Sequence, residues 1–316
     1  GVMTADADGT VAIGKAALNN ISSGIGNTAV GMEALKVEND GDYNTAIGYE
    51  ALKDQTGTSG TVSNTAVGYG AGSSVTTAIK NTLVGANALT TATTGGYNVA
   101  VGEAAGGNAT TASGSIFIGF QAGLDLTTGN QNIAIGSQAM HSGVVTGDNN
   151  IVMGNEAGKE LTSGYNNIFV GRIAGTAVTT AAGNIAIGNE SFQSATTGIH
   201  SNIAIGTAAM MNVAGADFVV AIGNAAGESN MTSDADGTIV IGAYCGNGIT
   251  SGIANTAVGY GALYTEDDGD YNTAIGYEAL NQQTGTSGLV ANTGVGYRAG
   301  YYNTSGIKNT YIGYHS

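Results

Sequence analysis

Acidic turns built on glycine are the stretches of this sequence best suited to hold an ion. They read DADG, which occurs twice, NDGD and DDGD. Carboxylates grouped on a glycine turn can supply the oxygen ligands that Ca²⁺ prefers. The candidate ligands are Asp6, Asp8, Asp40, Asp42, Asp234, Asp236, Asp268 and Asp270.

Two known calcium patterns are missing from these turns. The EF-hand spacing with its distal glutamate is absent, and so is the glycine-rich nonapeptide of calcium-binding β-helices. The sequence therefore favours solvated acidic turns. We expect no cofactor, and Ca²⁺ is the one ion that these turns could take.

Tyrosine follows the glycine of a recurring N-T-A-I-G motif in several copies. If these copies stack outward, the rings form an aromatic stripe that could contact a glycan or a neighbouring fibre. The alternative, which the sequence favours, is an aromatic ladder that stabilises a sheet or lies in a contact between chains. The surface-contact candidates are Tyr49, Tyr69, Tyr260, Tyr277, Tyr297 and Tyr314.

Patterns typical of enzymes are scarce. The chain has three histidines and one cysteine, and it shows no nucleophile elbow, P-loop, metal-ligand pair or dinucleotide fingerprint. His141, His200 and His315 stand at different places relative to the motif, so they should not converge. Cys245 occupies a slot that is alanine in nearly every copy, which predicts a small buried residue. We predict that the chain is not an enzyme and has no catalytic residue.

Composition narrows the class of protein. Among 316 residues there are 54 glycines and no proline or tryptophan, 42% are hydrophobic and 10% are charged. Disorder goes with low hydrophobicity, and collagen needs proline with a three-residue glycine period, so neither fits. The formal net charge of −15 argues against nucleic acid or an anionic membrane as a partner. No apolar run approaches the roughly 20 residues of a membrane span.

The motif recurs along the whole chain, with most copies separated by about 17 residues, a regular spacing typical of repeat architectures. Its glycine occurs 18 times, at Gly14, Gly31, Gly48, Gly68, Gly85, Gly102, Gly119, Gly136, Gly154, Gly171, Gly188, Gly206, Gly223, Gly242, Gly259, Gly276, Gly296 and Gly313. A 228-residue period lies above it, because residues 1–88 match residues 229–316 at 55 of 88 positions. We therefore expect residues 1–316 to be a single continuous segment of a longer repeat protein.

Each repeat fits one coil of a parallel β-solenoid. A repeat of this length is too short for a strand, a helix and two loops, and we expect two short strands with tight corners. Asparagine precedes the strand in 14 of 18 copies, which predicts an amide ladder at a corner. The slot of Thr28 takes valine or isoleucine from Val99 to Ile239, so we expect its rank to face inward. The fold class is all-β, with 18 coils of about 17–20 residues each.

Several copies resemble known repeats. NIAIGSQAM, NIAIGNESF, TVAIGKAAL and NTAVGYGAG are similar to the head repeats of YadA-like trimeric autotransporter adhesins and to phage tail-fibre shafts of the NTAIGYxAL type. The resemblance covers all the copies and implies a left-handed β-roll, an obligate homotrimer, surface exposure and attachment. The adhesin repeat is shorter than the repeat of this chain, so the additional residues must enlarge one turn. A single-chain solenoid and another filament assembly remain alternatives.

These observations predict a non-enzymatic structural protein. We expect an extracellular filament or adhesin segment at the cell or virion surface, acting as a rigid spacer with multivalent attachment. The alternative is a phage tail fibre that recognises a host receptor, with or without glycan cleavage. The expected partners are further copies of the chain, as a homotrimer or filament, and a host-surface glycan or protein. We expect no nucleic-acid partner and no membrane insertion.

Overall fold

The structure is a computed structural model that describes residues 8–57, 60–195, 199–284 and 288–316. These residues form an all-β parallel β-solenoid of about 17 coils, which confirms the predicted all-β solenoid with nearly the predicted number of coils. The left-handed roll and the homotrimer stay predictions. The described residues contain no α-helix, and their one helical element is the 3₁₀ turn Ser233–Ala235. Across the same ranges no helix has the length and apolar character needed to cross a membrane.

The chain divides into two compact units. The first unit is Gly1–Glu156 with Leu161–Ser163, and the second is Ala157–Glu160 with Gly164–Ser316. The strands of the first unit are β1 (Val11–Ile13), β2 (Thr28–Val30), β3 (Gly41–Asp42), β4 (Thr45–Ile47), β5 (Gly60–Thr61), β6 (Thr65–Val67), β7 (Thr82–Val84), β8 (Val99–Val101), β9 (Ile116–Ile118), β10 (Ile133–Ile135) and β11 (Ile151–Met153).

The second unit has the same construction. Its strands are β12 (Ile168–Val170), β13 (Ile185–Ile187), β14 (Ile203–Ile205), β15 (Val220–Ile222), β16 (Ile239–Ile241), β17 (Thr256–Val258), β18 (Gly269–Asp270), β19 (Thr273–Ile275), β20 (Gly288–Leu289), β21 (Thr293–Val295) and β22 (Thr310–Ile312). Within each unit, every three-residue strand pairs in parallel with the corresponding strand of the next coil. The register places motif on motif, as where Ala186 of β13 pairs with Ala204 of β14.

The prediction of two strands in every coil is wrong for most coils. Each coil has one three-residue strand, and the described residues hold only two further strand pairs, β3 with β5 and β18 with β20. Between the strands the chain makes tight bends at residues with left-handed backbone angles, such as Glu50 with φ 55° and Leu52 with φ 50°. These tight bends allow a coil to close around a narrow core without a second regular strand.

The predicted direction of the strand residues is also wrong. The middle residue of every three-residue strand except the terminal β1 and β22 is buried, as Ala46 is with no exposed surface, while its neighbours Thr45 and Ile47 point outward. Because side chains alternate along a strand, the first and third residues of all these strands share the outer side of the sheet. The rank that includes Thr28 is therefore partly solvent-exposed. We call the first and third residues of the three-residue strands the outer strand face.

Close approach of the backbone explains the motif glycine. Gly119 has φ +130°, and a Cβ atom there would lie 2.6 Å from the carbonyl oxygen of Gly136 in the next coil. Gly136 meets Gly154 in the same way. A side chain at this position would both strain the backbone and collide with the next coil, so the column of glycines sets the spacing of the coils.

Large and small residues complement one another inside the coils. Where the middle strand residue is Phe117, the nearby slots that hold leucine in other coils are Gly106 and Gly123. A Cβ on Gly106 would lie 2.6 Å from ring atom Cδ2 of Phe117. Phe169 and Gly175 repeat the arrangement in the second unit. In these coils a bulky residue at the strand position is thus paired with glycine at a neighbouring core slot.

The corner asparagines are buried, as a ladder requires, but their hydrogen bonds differ from the predicted amide ladder. The Asn132 Oδ1 accepts from the Asn150 backbone N–H of the next coil at 2.9 Å, and the Asn132 Nδ2 donates to the Gly147 carbonyl at 2.8 Å. Direct amide-to-amide bonds are a minority, one of them joining Asn150 Nδ2 to Asn132 Oδ1 at 3.1 Å. Each asparagine therefore ties its side chain to the backbone of the following coil.

Removing this corner amide should destabilise the first unit. We expect Asn132→Ala to lower the free energy of unfolding by about 1–3 kcal/mol, because it leaves the buried backbone N–H of Asn150 without its acceptor. Asn132→Ser is the matched variant, since Ser115 fills the same corner naturally and its Oγ accepts from the Asn132 N–H at 3.2 Å. Urea unfolding should rank the variants alanine, serine, asparagine in increasing stability. Equal midpoints for alanine and asparagine would contradict this role.

Candidate functional site

The tyrosines after the motif glycine stack into a ladder. In the second unit the ring centroids of Tyr260 and Tyr277 are 5.2 Å apart, and the stack continues through Tyr297 to Tyr314 at 5.3 and 5.0 Å. The interplanar angles are 11° to 12°. In the first unit Tyr49 and Tyr69 stack in the same manner at 5.3 Å. The structure therefore brings the six surface-contact candidates into one ladder per unit.

Both functions considered for these rings are compatible with their surroundings. All six are exposed over more than a third of their surface, Tyr260 over 47%. Beside the third ring of this stack, the Arg298 guanidinium lies 5.4 Å from the Tyr297 ring centroid, and its Nε donates to Glu278 Oε2 at 2.6 Å. The rings stabilise the stack through their shared faces and still present their edges to solvent. Surface contact by these residues stays a prediction.

A pocket opens where the ladder of the second unit stops. The coil that precedes Tyr260 carries Ala243 in the ladder position and Tyr244 one residue later. The Tyr244 ring meets Tyr260 edge to face, with centroids 5.8 Å apart and an interplanar angle of 76°. The resulting cavity of about 300 Å³ is lined by Tyr244, Tyr260, Gly261, Tyr264, Glu278 and Asn281. We call it the tyrosine pocket. The sequence prediction included only Tyr260 among its residues.

Four of the eight acidic candidates are hydrogen-bond acceptors for neighbouring turns. Asp42 Oδ1 accepts from the Ile25 N–H and Asp270 Oδ1 from the Ile253 N–H, both at 2.9 Å. Asp236 Oδ1 accepts from the Asp217 N–H at 2.7 Å. Two serine hydroxyls, of Ser22 and Ser23, donate to Asp40 Oδ1 at 2.9 and 2.8 Å. These contacts give the turn aspartates a structural role in joining successive coils.

The structure places the other acidic candidates as follows. Asp8 is exposed, and Asp6 lies outside the described residues. Asp234, Asp268 and Asp270 line one open cavity of about 350 Å³. Among the residues that the structure describes, one group of three acids has carboxylate oxygens within 4.8 Å of one another, namely Glu266, Asp267 and Asp268. Partial burial and the neighbouring Asp267 carboxylate raise the pKa of Asp268. Calcium binding at these turns stays a prediction.

Two buried glutamates, which sequence reasoning missed, organise the acidic turns. Glu38 has no exposed surface, and its Oε1 accepts from the backbone N–H groups of Asn39, Gly41 and Gly57 at 2.8 to 3.0 Å. Glu266 holds the equivalent place in the second copy of the longer period and accepts from Gly269 N–H at 2.9 Å. The sequence did contain a signal for them, because a glutamate stands at the same position before both glycine turns. Several backbone donors compensate for burying each carboxylate.

The cysteine is buried, as predicted. Cys245 has no exposed surface, and its Sγ lies 3.1 Å from the Ala257 carbonyl oxygen. Burial raises the pKa of its thiol to about 12. Because the thiolate is the reactive form, the folded protein should contain almost none of it at pH 8.

A thiol titration tests this assignment. At pH 8 the folded protein should not react with Ellman's reagent over an hour, whereas protein unfolded in urea should release one equivalent of thionitrobenzoate per chain. The unfolded sample is the control for reagent and concentration. Rapid reaction of the folded protein would show an accessible thiol and would contradict the packing of this coil.

The histidines occupy separate environments. His315 lies edge-on to the rings of Tyr297 and Tyr314 at 5.3 and 4.8 Å between centroids. The His200 backbone N–H donates to Asp217 Oδ1, and His141 Nδ1 lies 3.0 Å from Ser142 Oγ. The three histidines thus have different contact partners, as their different motif positions predicted.

A scan of protein-family models and a search of curated proteins returned no match to this chain.

Proposed function

We propose that this chain is a non-enzymatic structural segment of an extracellular fibre or adhesin that assembles with further copies of itself. The observation that carries the proposal is the apolar character of the outer strand face. In all 18 three-residue strands of the described residues the third residue is isoleucine, valine or methionine. Ile47, Ile118 and Ile187 are each exposed over more than a third of their surface. A folded single chain gains nothing from an exposed column of such residues.

The arrangement of this face favours an identical chain as its partner. Coil follows coil in register within each unit, so the apolar side chains form straight columns about 4.8 Å apart. The face carries no charged residue, although the net charge of the chain is −15. Long columns of this kind on a soluble protein mark interaction surfaces. Copies of one chain related by rotation would place these columns against each other and remove them from water.

The finer points of the proposal follow from the resemblance to YadA-like heads and tail-fibre shafts. It implies three chains, a left-handed β-roll and display at a cell or virion surface. In that setting each unit serves as a spacer: nine paired strands span about 40 Å. The hydrogen bonds from coil to coil make the unit stiff, and repeated copies of the surface provide multivalent attachment.

Immunogold labelling tests the proposed setting. Antibodies raised against the purified chain should decorate filaments on intact cells of the source organism. Label confined to the tails of virions would favour the receptor-recognition fibre instead, and label only inside permeabilised cells would contradict extracellular display. Release of reducing sugar from purified surface polysaccharides, beyond that of a heat-denatured control, would contradict the non-enzymatic assignment.

A further inference from the structure

The tyrosine pocket differs from the matched surface of the first unit. The 228-residue period aligns Tyr244 with Ala16, Tyr260 with Met32, Tyr264 with Lys36 and Asn281 with Lys53, while Glu278 aligns with Glu50. In the first unit this surface holds two ion pairs, Lys36–Glu33 at 3.1 Å and Lys53–Glu50 at 3.3 Å. The second unit has replaced both lysines and gained three aromatic rings around a cavity.

The ring of Tyr260 is the natural platform of this pocket. One of its faces is covered by Tyr277, stacked at 5.2 Å. The coil on the other side supplies Ala243 at the ladder position, so no parallel ring covers the second face, and Tyr244 approaches at 76° instead. A flat ligand with polarised C–H groups can take the place of the missing ring, since an aromatic face is the negative part of the ring quadrupole.

Hydrogen-bond acceptors stand beside the platform. Glu278 gives one carboxylate oxygen, Oε2, to Arg298 at 2.6 Å, and its Oε1 is available to a hydroxyl donor. The Asn281 Nδ2 donates to the Gly261 carbonyl at 2.8 Å, which holds this amide at the wall and leaves Oδ1 as an acceptor. The ligand that fits has one apolar face and hydroxyl groups at its rim.

Charge and size narrow the class of ligand further. The lysines of the matched surface are absent here, and the nearby Arg298 is already paired with Glu278, so the pocket residues offer an anionic ligand no unpaired cation. The cavity of about 300 Å³ lies at the small end of the range for ligand pockets. We propose that the tyrosine pocket binds a neutral pyranose sugar, packed against the Tyr260 ring beside Tyr244, with its hydroxyl groups directed to Glu278 and Asn281. This inference rests on the attachment role proposed above.

Saturation-transfer difference NMR on the full chain tests the pocket. The probes are methyl α-D-mannopyranoside, methyl β-D-galactopyranoside and methyl N-acetyl-β-D-glucosaminide at millimolar concentration. Irradiation of the protein should transfer saturation to the ring protons of at least one sugar. Tyr260→Met and Tyr244→Ala each introduce the residue that the matched first-unit surface carries, and that surface folds with them. Each substitution should raise the dissociation constant for the sugar about tenfold.

Tyr69→Met is the matched control, because Tyr69 is a ladder tyrosine of the first unit and lies outside the tyrosine pocket. Its binding should equal that of the unchanged chain. Absence of transfer to all three sugars, or equal loss in Tyr69→Met and Tyr260→Met, would overturn the inference. A lower assembly mass for Tyr260→Met would also overturn it, by assigning this ring to a chain contact. Sugar binding by a single-chain species would overturn only the proposed assembly, whereas assembled chains without sugar binding would overturn only the pocket.

Discussion

Replacing Phe117 with alanine should lower the free energy of unfolding of the first unit by about 3–5 kcal/mol. The ring is fully buried and fills space that two flanking glycines, Gly106 and Gly123, leave open. Alanine would leave a cavity that a hydrogen-bonded stack of coils cannot close, because the spacing of the coils is set by their backbone contacts. Chemical denaturation followed by circular dichroism measures the loss.

A compensating variant separates lost volume from lost chemistry. Phe117→Ala combined with Gly106→Leu and Gly123→Leu copies the coil in which Ala46 accompanies Leu52. Leucine tolerates the required left-handed backbone there, since Leu52 has φ 50° and the two glycines have φ 60° and 61°. The triple variant should recover at least half of the lost stability, while Gly123→Leu alone should destabilise by overpacking. A triple variant no more stable than Phe117→Ala would contradict the exchange of bulk between these slots.

A charge on the outer strand face should prevent assembly while leaving the coils folded. Ile118→Asp with Ile187→Asp puts one carboxylate on each unit at positions exposed over 38% of their surface in the single chain. Water still reaches both carboxylates in one chain, but assembly would bury them without a partner, at several kcal/mol for each ion. We expect the dissociation constant of the assembly to rise by a factor on the order of a hundred or more.

Two comparisons make this result specific. Ile133→Thr, which introduces the residue that Thr45 already places in the same slot, should retain the assembly mass in sedimentation velocity. Ala134→Asp, on the inward side of the same strand, should unfold the coil, because Ala134 has no exposed surface. If Ile118→Asp with Ile187→Asp sediments like the unchanged chain, the outer strand face is not the contact between copies.

The coil period and its register could be predicted from the sequence because they depend on the same residue type recurring at a fixed spacing. The column that contains Gly119 and Gly136 is visible as a repeat, and the structure explains it by the approach of one backbone to the next. The burial of Cys245 followed from its slot in the same way. These features depend on local geometry that every coil repeats.

Which side chains of each strand face the core could not be predicted correctly, because a strand of three residues is too short to distinguish the two sides of a sheet. In Ile133–Ile135 the two isoleucines suggested an inward face, since β-branched residues usually fill cores. The coil is narrow, so the middle position of the strand usually holds a residue as small as Ala134. A larger residue such as Phe117 fits there because glycines such as Gly106 make room for it. That limit comes from the diameter of the closed coil, which depends on left-handed bends at residues such as Glu50.

The tyrosine pocket was hidden from sequence reasoning for a different reason. Its rings stand at three different places of the motif, with Tyr244 in one coil and Tyr260 and Tyr264 in the next. Comparing the same motif position in successive coils reveals the tyrosine ladder that starts at Tyr260. It does not reveal the side chains that surround Tyr260, because they stand at other motif positions. The contrast with Met32 and Lys36 of the first unit was available as a signal only once their neighbours in space were known.

The mass of the unchanged chain in dilute solution tests the assembly most directly. Native mass spectrometry, with sedimentation equilibrium as an independent check, should give three times the 31.1 kDa mass of one chain. A discrete species of another subunit number would keep the outer strand face as the contact and correct the count. A stable, folded species with the mass of a single chain at micromolar concentration would contradict self-assembly through this face.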